Sequence, residues 1–394
     1  MKNVLMILQS DFPPDMRVQK EALSLINAGY KVSIISDNRI KKPRRSNENG
    51  IDVFRMRHYS ALGGKLHKII NAPMYPNPVW SRAIRKAVIE INAEILHVHD
   101  LPLALSTMKI ADSFNLPVIF DLHENYPAAM EQWYKPGPVG WTIRNPNFAR
   151  YLERICLNRA DKIIVIAEEH RDLLASRGIP EDKIYIVENT PYKKTAFFNN
   201  RDRSLESRYE QHYNLVYFGI LNPERKIDVA LKAMPLIKSK IPNVKLVVIG
   251  RGPSFNDFKN LAHELHLDSD VEFLGWLSLQ EAEPYFHLSD ILIMPHSSNE
   301  FLDNGVPNKL FEYMAFGKPV VVPESKASAR VVREADCGEI FVPEDSNSFA
   351  DAIFKIAHAD KNYGMNGKNI ILNKYNWETT EKELLKLYHN LSNS

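Results

Sequence analysis

The chain has 394 residues, of which 44% are hydrophobic and 25% are charged, and its formal net charge is +2. This composition excludes a disordered or fibrous protein. The length exceeds what one hydrophobic core normally supports, so we predict two α/β domains. The two cysteines, Cys156 and Cys337, lie far apart in sequence, which argues against a disulfide scaffold or a zinc site and favours a cytoplasmic protein.

The N-terminus carries only five consecutive apolar residues, Val4–Leu8, and polar residues follow at once. A signal peptide needs a longer apolar core, and a membrane-spanning helix needs ~18–20 apolar residues, which no segment provides. We therefore expect a protein that is neither secreted by that route nor integral to a membrane.

Short runs of apolar, β-branched residues alternate with segments of helical period in the first half of the chain. The predicted strands are Val4–Leu8, Val32–Ser36, Val53–Met56, Ile95–Val98, Val118–Asp121, Ile163–Ile166 and Ile184–Val187. The predicted helices are Arg17–Ala28, Trp80–Ile91, Leu101–Phe114, Phe148–Asn158 and Glu168–Ser176. Because parallel neighbours need crossover connections, this alternation predicts a parallel sheet with helices on both faces.

The same alternation restarts after a polar stretch at residues 193–212. The predicted strands are Leu215–Phe218, Leu246–Ile249, Val271–Leu274, Ile291–Met294, Val320–Val322 and Ile340–Val342, and the predicted helices are Ile227–Ile237, Phe255–Leu265, Leu279–Leu288, Lys309–Phe316 and Phe349–Ala359. We predict two doubly wound domains, residues 1–195 and 196–375, with the amphipathic segment 376–394 packing back on the first. Ligands of such folds bind beyond the carboxyl ends of the strands, so a cleft between facing domains is the expected site.

Two histidine-acid motifs end consecutive strands of the first domain, at His97-Val98-His99-Asp100 and at Asp121-Leu122-His123-Glu124. Neighbouring strand ends lie close together in a parallel sheet, and histidine with carboxylate is a common set of metal ligands. His97 and His99, at alternate strand positions, point the same way and also suit a place within the sheet. A catalytic or sugar-contacting role of His123 is favoured over a metal site. The loop after the first strand, residues 9–16, has no glycine, which argues against a dinucleotide site there.

Charged and glycine residues follow the strands of the second domain. Gly219 ends a strand, and Arg225 and Lys226 come just before a helix, where a cation can bind a diphosphate. A solvent-exposed pair is the alternative. The turn Gly250-Arg251-Gly252 allows a close backbone approach to a ligand, although two glycines alone are a weak signal.

Residues expected to bind a ligand are most concentrated in the segment Asn304–Glu312. A helix is predicted to begin at Pro307 or Asn308, and its free N–H groups suit a diphosphate. Glu312, about one turn further, can accept two hydrogen bonds from a ribose diol. A carboxylate in a first turn can instead complement the helix dipole.

Together these segments resemble the retaining glycosyltransferase family four, which has the two-domain GT-B fold. The resemblance extends over nearly the whole chain. It rests on the motifs Asp15-x-Arg17-Val18, His97-x-His99-Asp100, Asp121-Leu122-His123-Glu124-Asn125, Ala160-Asp161-Lys162-Ile163 and Gly317-Lys318-Pro319-Val320, and most specifically on Pro307-Asn308-Lys309-Leu310-Phe311-Glu312-Tyr313. The last of these is typical of the family branch that reads Pro-x-Lys-Leu-Phe-Glu-Tyr.

The resemblance implies sugar transfer from a nucleoside-diphosphate sugar with retained configuration and without an obligatory metal or other cofactor. His123, Arg225 and Glu312 would be the catalytic residues: His123 near the reacting sugar, Arg225 on the phosphates and Glu312 on the ribose. The implied donor-binding residues are Gly219, Arg225, Lys226, Gly250, Arg251, Gly252, Leu274, Asn304, Gly305, Val306, Pro307, Asn308, Lys309 and Glu312. Lys226 would replace Arg225 if the loop gap is placed differently.

Two positions depart from the family pattern. Asn304 stands eight residues before Glu312, where the family has a sugar-contacting glutamate, and Ile220 stands where it has a phosphate-binding arginine. These departures leave open a non-catalytic member that binds a nucleotide sugar or a partner transferase. A nucleotide-sugar epimerase of the same fold is a further alternative.

The acceptor is expected on the first domain and is implied to be a glycan or a lipid-linked molecule. Residues 1–195 carry 28 Lys and Arg against 21 Asp and Glu. The basic loop 38–49 and the mixed basic and apolar segment 59–80 predict a peripheral contact with an anionic membrane at its cytoplasmic face. A mobile surface loop is the alternative. Nucleic-acid binding is not expected, because the basic residues form no patch interleaved with aromatic ones.

Overall fold

The computed structural model describes residues 2–58, 67, 76–133, 137, 145–198 and 200–392. The chain divides into two units, Met1–Glu188 with Thr380–Ser394, and Asn189–Thr379. The predicted boundaries, 195/196 and 375/376, differ from these by seven and four residues. Each unit contains a largely parallel sheet with helices, which confirms the predicted fold class.

The first unit has an eight-stranded sheet in the order β3-β4-β2-β1-β5-β6-β7-β8. Its strands are β1 Asn3–Asp11, β2 Lys31–Asp37, β3 Arg45–Glu48, β4 Ile51–Arg55, β5 Ile95–His99, β6 Val118–Asp121, β7 Lys162–Val165 and β8 Ile184–Ile186. Its helices are α1 Met16–Asn27, α2 Pro78–Ile91, α3 Leu101–Phe114, α4 Tyr126–Trp133, α5 Pro146–Arg159 and α6 Glu168–Ser176. Only the pairing of β3 with β4 is antiparallel within the described residues.

The second unit has a six-stranded parallel sheet in the order β11-β10-β9-β12-β13-β14. Its strands are β9 Tyr213–Phe218, β10 Val244–Ile249, β11 Val271–Gly275, β12 Ile291–Ile293, β13 Val320–Pro323 and β14 Gly338–Phe341. Its helices are α7 Arg203–Tyr209, α8 Ile227–Lys240, α9 Phe255–Glu264, α10 Leu279–Leu288, α11 Glu300–Asp303, α12 Asn308–Ala315, α13 Lys326–Ala335, α14 Ser346–His358 and α15 Tyr363–Asn373.

Several elements were not predicted because their sequences lack apolar periodicity. Strand β3 reads Arg-Ser-Asn-Glu and lies at the sheet edge, where no apolar face is required. The polar stretch predicted as a linker contains α7, whose start is capped by the Asp202 carboxylate. Helix α13 was also not predicted, although its sequence is amphipathic and it buries Val331 and Val332 together with Ala327, Ser328, Ala329 and Ala335.

The last helix, α16 Trp377–Ser392, supplies side chains to the first unit. The Tyr388 hydroxyl lies 2.9 Å from His97 Nδ1, and Ser24 donates a hydrogen bond to Glu381 at 2.7 Å. Within the described residues, no helix has the length and apolar character needed to cross a bilayer.

Candidate functional site

A buried polar cluster joins the carboxyl ends of β5 and β6 to α1 in the first unit. The parallel register pairs His99 with Asp121, so the two histidine-acid motifs meet as predicted. Arg17, on α1, donates to Asp121 Oδ1 at 2.9 Å and to the Val187 carbonyl at 2.8 Å, and it contacts Glu21 Oε1 at 3.1 Å. Asp121 and Glu21 are fully buried. Arg17 offsets the charge of Asp121, whereas burial and the charge of Asp121 raise the pKa of Glu21 to about 8, so Glu21 is mainly protonated at neutral pH.

The His123 side chain reaches solvent and is 18% exposed, next to Asp100 at 27%. Its Nε2 lies 3.2 Å from Asp121 Oδ2, and its backbone N–H donates to Asp100 at 3.0 Å. Burial lowers the pKa of His123, but the Asp100 and Asp121 carboxylates raise it by more, to about 10. His123 is therefore a cation at neutral pH, able to donate a hydrogen bond to a sugar hydroxyl.

His97 and His99 differ from His123 in burial and in charge. Both are buried, and their rings stack at 4.3 Å between centroids. Burial lowers the pKa of both, so they stay neutral. His97 contacts Tyr388 of α16, which agrees with the alternative that it sits within the sheet.

Four side chains of the cluster have the chemistry of a metal site. Glu21, His97, His99 and Asp121 each offer a ligand atom, and these atoms lie within 4.8 Å of one another. Arg17 already contacts both carboxylates, so a divalent ion bound there would lie beside a guanidinium. The charges of the cluster are those of an internal ion-pair network.

Three strand ends of the second unit meet through their glycines. The Gly219 N–H donates to the Ile249 carbonyl at 2.8 Å, and the Gly250 N–H donates to the Gly275 carbonyl at 2.6 Å. A Cβ atom on Gly250 would lie 1.7 Å from the Gly219 oxygen, and one on Gly252 would lie 2.2 Å from the Leu221 oxygen. Only glycine fits at these two positions, so the predicted Gly-x-Gly turn shapes the carboxyl edge of this sheet.

Helix α12 begins at Asn308 after Pro307, and no side chain caps its start. The backbone N–H groups of Asn308 and Lys309 have no acceptor among the described residues. Val306, just before this start, is buried and anchors the loop, and Gly305 precedes it. This helix start can therefore donate hydrogen bonds to an anion.

The cations predicted in this unit differ in their surroundings. Arg225 Nη1 lies 3.1 Å from His296 Nδ1, and its Nε is buried without a partner in the described structure. Burial, then Arg225 and Lys309, lower the pKa of His296 far below its usual value, so a neutral His296 accepts this hydrogen bond. Lys226 instead pairs with Glu344 at 3.1 Å. No role was predicted for His296, although it lies in the strand-end loop Pro295–Glu300 that precedes the donor segment.

The remaining predicted residues surround this edge. Glu312 is partly buried in α12 and interacts electrostatically with Lys309. The Asn304 side chain donates to the Glu300 carbonyl at 2.5 Å and thereby closes the short helix α11. Arg251 lies over the Phe255 ring and beside Gly275, next to Leu274. The Asn304 amide thus has a structural role at the position of the missing glutamate.

Two family profiles together match most of the chain. The profile "Glycosyl transferase 4-like domain" matches residues 15–190, and "Glycosyl transferases group 1" matches residues 199–372. In solved structures, sucrose-phosphate synthase from Thermosynechococcus elongatus has a similar fold, with a TM-score of 0.78, 16% identity and 99% of both chains covered.

Two curated relatives align with this chain over only part of their length. The alpha-monoglucosyldiacylglycerol synthase of Streptococcus pneumoniae is 26% identical over 292 residues, which are 72% of this chain and 63% of that protein. An uncharacterized glycosyltransferase of Methanocaldococcus jannaschii is 22% identical over 250 residues, 62% of each chain. The chain thus spans less than two thirds of the length of these two relatives.

Proposed function

Because the chain belongs to glycosyltransferase family four and has the GT-B fold, we propose that it transfers a sugar from a nucleoside-diphosphate sugar, with retained configuration, to a glycan or lipid-linked acceptor. A relative whose name indicates glycolipid synthesis, the pneumococcal alpha-monoglucosyldiacylglycerol synthase, supports an acceptor in glycolipid or surface-polysaccharide synthesis.

The observation that supports the donor is the anion-binding edge of the second unit. Arg225, Lys309 and the uncapped start of α12 present positive charge and free N–H groups beside a glycine-lined strand edge. No carboxylate of the described residues lies within ion-pair distance of Arg225 or Lys309. Such a site suits a diphosphate, and we propose that Glu312, on the same helix, accepts hydrogen bonds from the ribose.

The proposed reaction is a displacement on one face of the sugar. The bond from the anomeric carbon to the β-phosphate oxygen breaks, and its electron pair stays on the phosphate. The acceptor oxygen bonds to the same face, and its proton passes to the leaving phosphate. Arg225 and the α12 N–H groups stabilise the developing charge.

A donor panel tests this function. With UDP-, GDP- and ADP-sugars and extracted lipid acceptors, we expect one donor to give a product whose anomeric configuration matches the donor by NMR. The rate should not change with EDTA, because the charges of the site come from the protein itself. An inverted product would refute the retaining mechanism, and an epimerised donor or binding without turnover would refute transfer.

We also propose a contact of the first unit with anionic phospholipid. A cavity of about 580 Å³ lies between β4 and α2, with an apolar floor that includes Ile35, Phe54 and Met56. Its lining includes the basic residues Arg44, Arg45, Arg55, Arg57, Arg82 and Lys86, against one acid, Glu90. Arg45 pairs with Glu90, and Arg55 is buried and pairs with Glu48, whereas Arg44 and Arg82 have no ion-pair partner in the described structure.

This cavity supports the predicted membrane contact more directly than the loops do. Of the predicted segment 59–80, residues 59–66 and 68–75 lie outside the described residues. An amphiphile with an anionic head matches the unpaired cations and the apolar floor, and each cation near a bilayer surface contributes up to ~1 kcal/mol.

Replacing Arg44, Arg82 and Lys86 by glutamine should lower binding to vesicles with anionic phospholipid at least tenfold, measured by sedimentation. Vesicles of zwitterionic lipid should bind neither protein. The matched control replaces the exposed Lys31, Arg85 and Lys109 by glutamine, which changes the net charge equally. Equal losses in both triple variants would show a general charge effect and refute this surface.

A further inference from the structure

The Lys309 side chain occupies an unusual position in the second unit. It extends from the second residue of α12 to the end of β9, where its Nζ lies against Gly219. A Cβ atom on Gly219 would lie 1.8 Å from that Nζ. The ammonium group also lies 5.4 Å from the Phe218 ring centroid and 5.9 Å from that of Tyr217. The lysine is therefore held at the strand end rather than in solvent.

This position is adjacent to residue 220, where the family pattern has a phosphate-binding arginine. Ile220 follows Gly219 directly, stands where the resemblance expects a phosphate-binding arginine, and is 47% exposed. Lys309 reaches the same strand end from a different element, some ninety residues later in the chain. A positive charge is thus present at the strand end although the residue expected to carry it is apolar.

No carboxylate of the described residues pairs directly with Lys309, although Glu312 acts on it through space. Lys309 has no hydrogen-bond or ion-pair partner among the described residues, and Arg225 is close enough to act on it electrostatically. Burial and Arg225 lower the pKa of Lys309 to about 8, against the opposite effect of Glu312. Two cations held together without a carboxylate between them are stabilised when an anion binds.

We propose that Lys309 replaces the missing arginine and binds the donor diphosphate together with Arg225. This inference rests on the proposed function and assigns the second phosphate-binding cation to a side chain of the Pro-x-Lys segment. The ligand is a nucleoside diphosphate or a nucleoside-diphosphate sugar. The absence of charge at position 220 then does not mean a weakened site.

The test is calorimetric binding of UDP, GDP and ADP, with the matching nucleosides for comparison. Lys309→Met should weaken binding of the preferred nucleoside diphosphate about 10- to 30-fold, as expected for loss of a charge-assisted contact, and leave the nucleoside unchanged. Adding Ile220→Arg to Lys309→Met should restore at least part of the affinity. Lys232→Met, at an exposed lysine of α8, is the control.

The pH dependence gives a readout that a structural role would not produce. A bound diphosphate favours protonated Lys309, so wild-type affinity should fall by up to tenfold per pH unit as the pH rises above about 8. Lys309→Arg should bind well and lose this dependence, because arginine stays charged.

The outcomes separate the two proposals. If the wild-type protein binds no nucleoside diphosphate, the proposed function fails. If it does, and Glu312→Ala weakens binding whereas Lys309→Met does not, only the role of Lys309 is refuted. A pH dependence that persists in Lys309→Arg also refutes it.

Discussion

Replacing Asp121 by alanine is expected to destabilise the first unit by about 3–5 kcal/mol, because it leaves Arg17 buried without its main partner. Arg17 is 4% exposed, and Asp121 also lies within 3.2 Å of His99 and His123. Hydrogen exchange should report this destabilisation as protection factors lowered about 10²- to 10⁴-fold in peptides covering β5 and β6. Peptides of the second unit should keep their protection.

Asp112→Ala is the matched control, since Asp112 is 62% exposed and pairs with Arg159 on the surface. It should change protection very little. The double variant Arg17→Met with Asp121→Ala should be less destabilised than the two single losses added together, because it removes both charges. Unchanged protection in Asp121→Ala would contradict the view that this ion-pair network holds the strand ends.

Replacing Arg225 by alanine is expected to lower kcat about 10²- to 10³-fold, the range typical for a group that stabilises the charge of a leaving oxygen. Arg225 is oriented by neutral His296 and has a buried Nε without a partner in the described structure. The effect should fall mainly on kcat, because charge on the leaving phosphate grows in the transition state. Steady-state kinetics with the donor identified by the panel measures it.

Arg333→Ala serves as the control for this variant. Arg333 is 60% exposed in the same unit and pairs with Glu324, so its loss should leave kcat unchanged. Arg225→Lys should recover only part of the rate, because lysine keeps the charge and loses the planar fork. A kcat within threefold of wild type for Arg225→Ala would refute the placement of the leaving group.

Periodicity predicted the strands of both sheets well, because a strand buried on both faces is a nearly continuous apolar run. The predicted strands differ from the observed ones only at their ends. Strand β10, for example, begins at Val244 rather than at Leu246. Strand β3 could not be found in this way, since its residues are polar and its pairing depends on β4.

The candidate site was predicted in part. The glycines and the start of α12 carry their signal locally, in residues a few positions apart. The partner of Arg225 has no such local signal in the sequence. His296 lies 71 positions away and is brought near Arg225 only by the order of the strands in the sheet. Ile220 was interpreted as a lost charge, since sequence position alone does not show that the Lys309 side chain extends to Gly219.

Helix α16 is synthesised long after the rest of the first unit. Tyr388 and Glu381 complete the packing of residues near the N-terminus, but the 191 residues of Asn189–Thr379 are synthesised in between. At about 5–20 residues per second, the first unit waits on the order of 10–40 s for its last helix. During that time the face of His97 that Tyr388 later covers is open, and nascent chains should be most vulnerable to chaperone capture or proteolysis there.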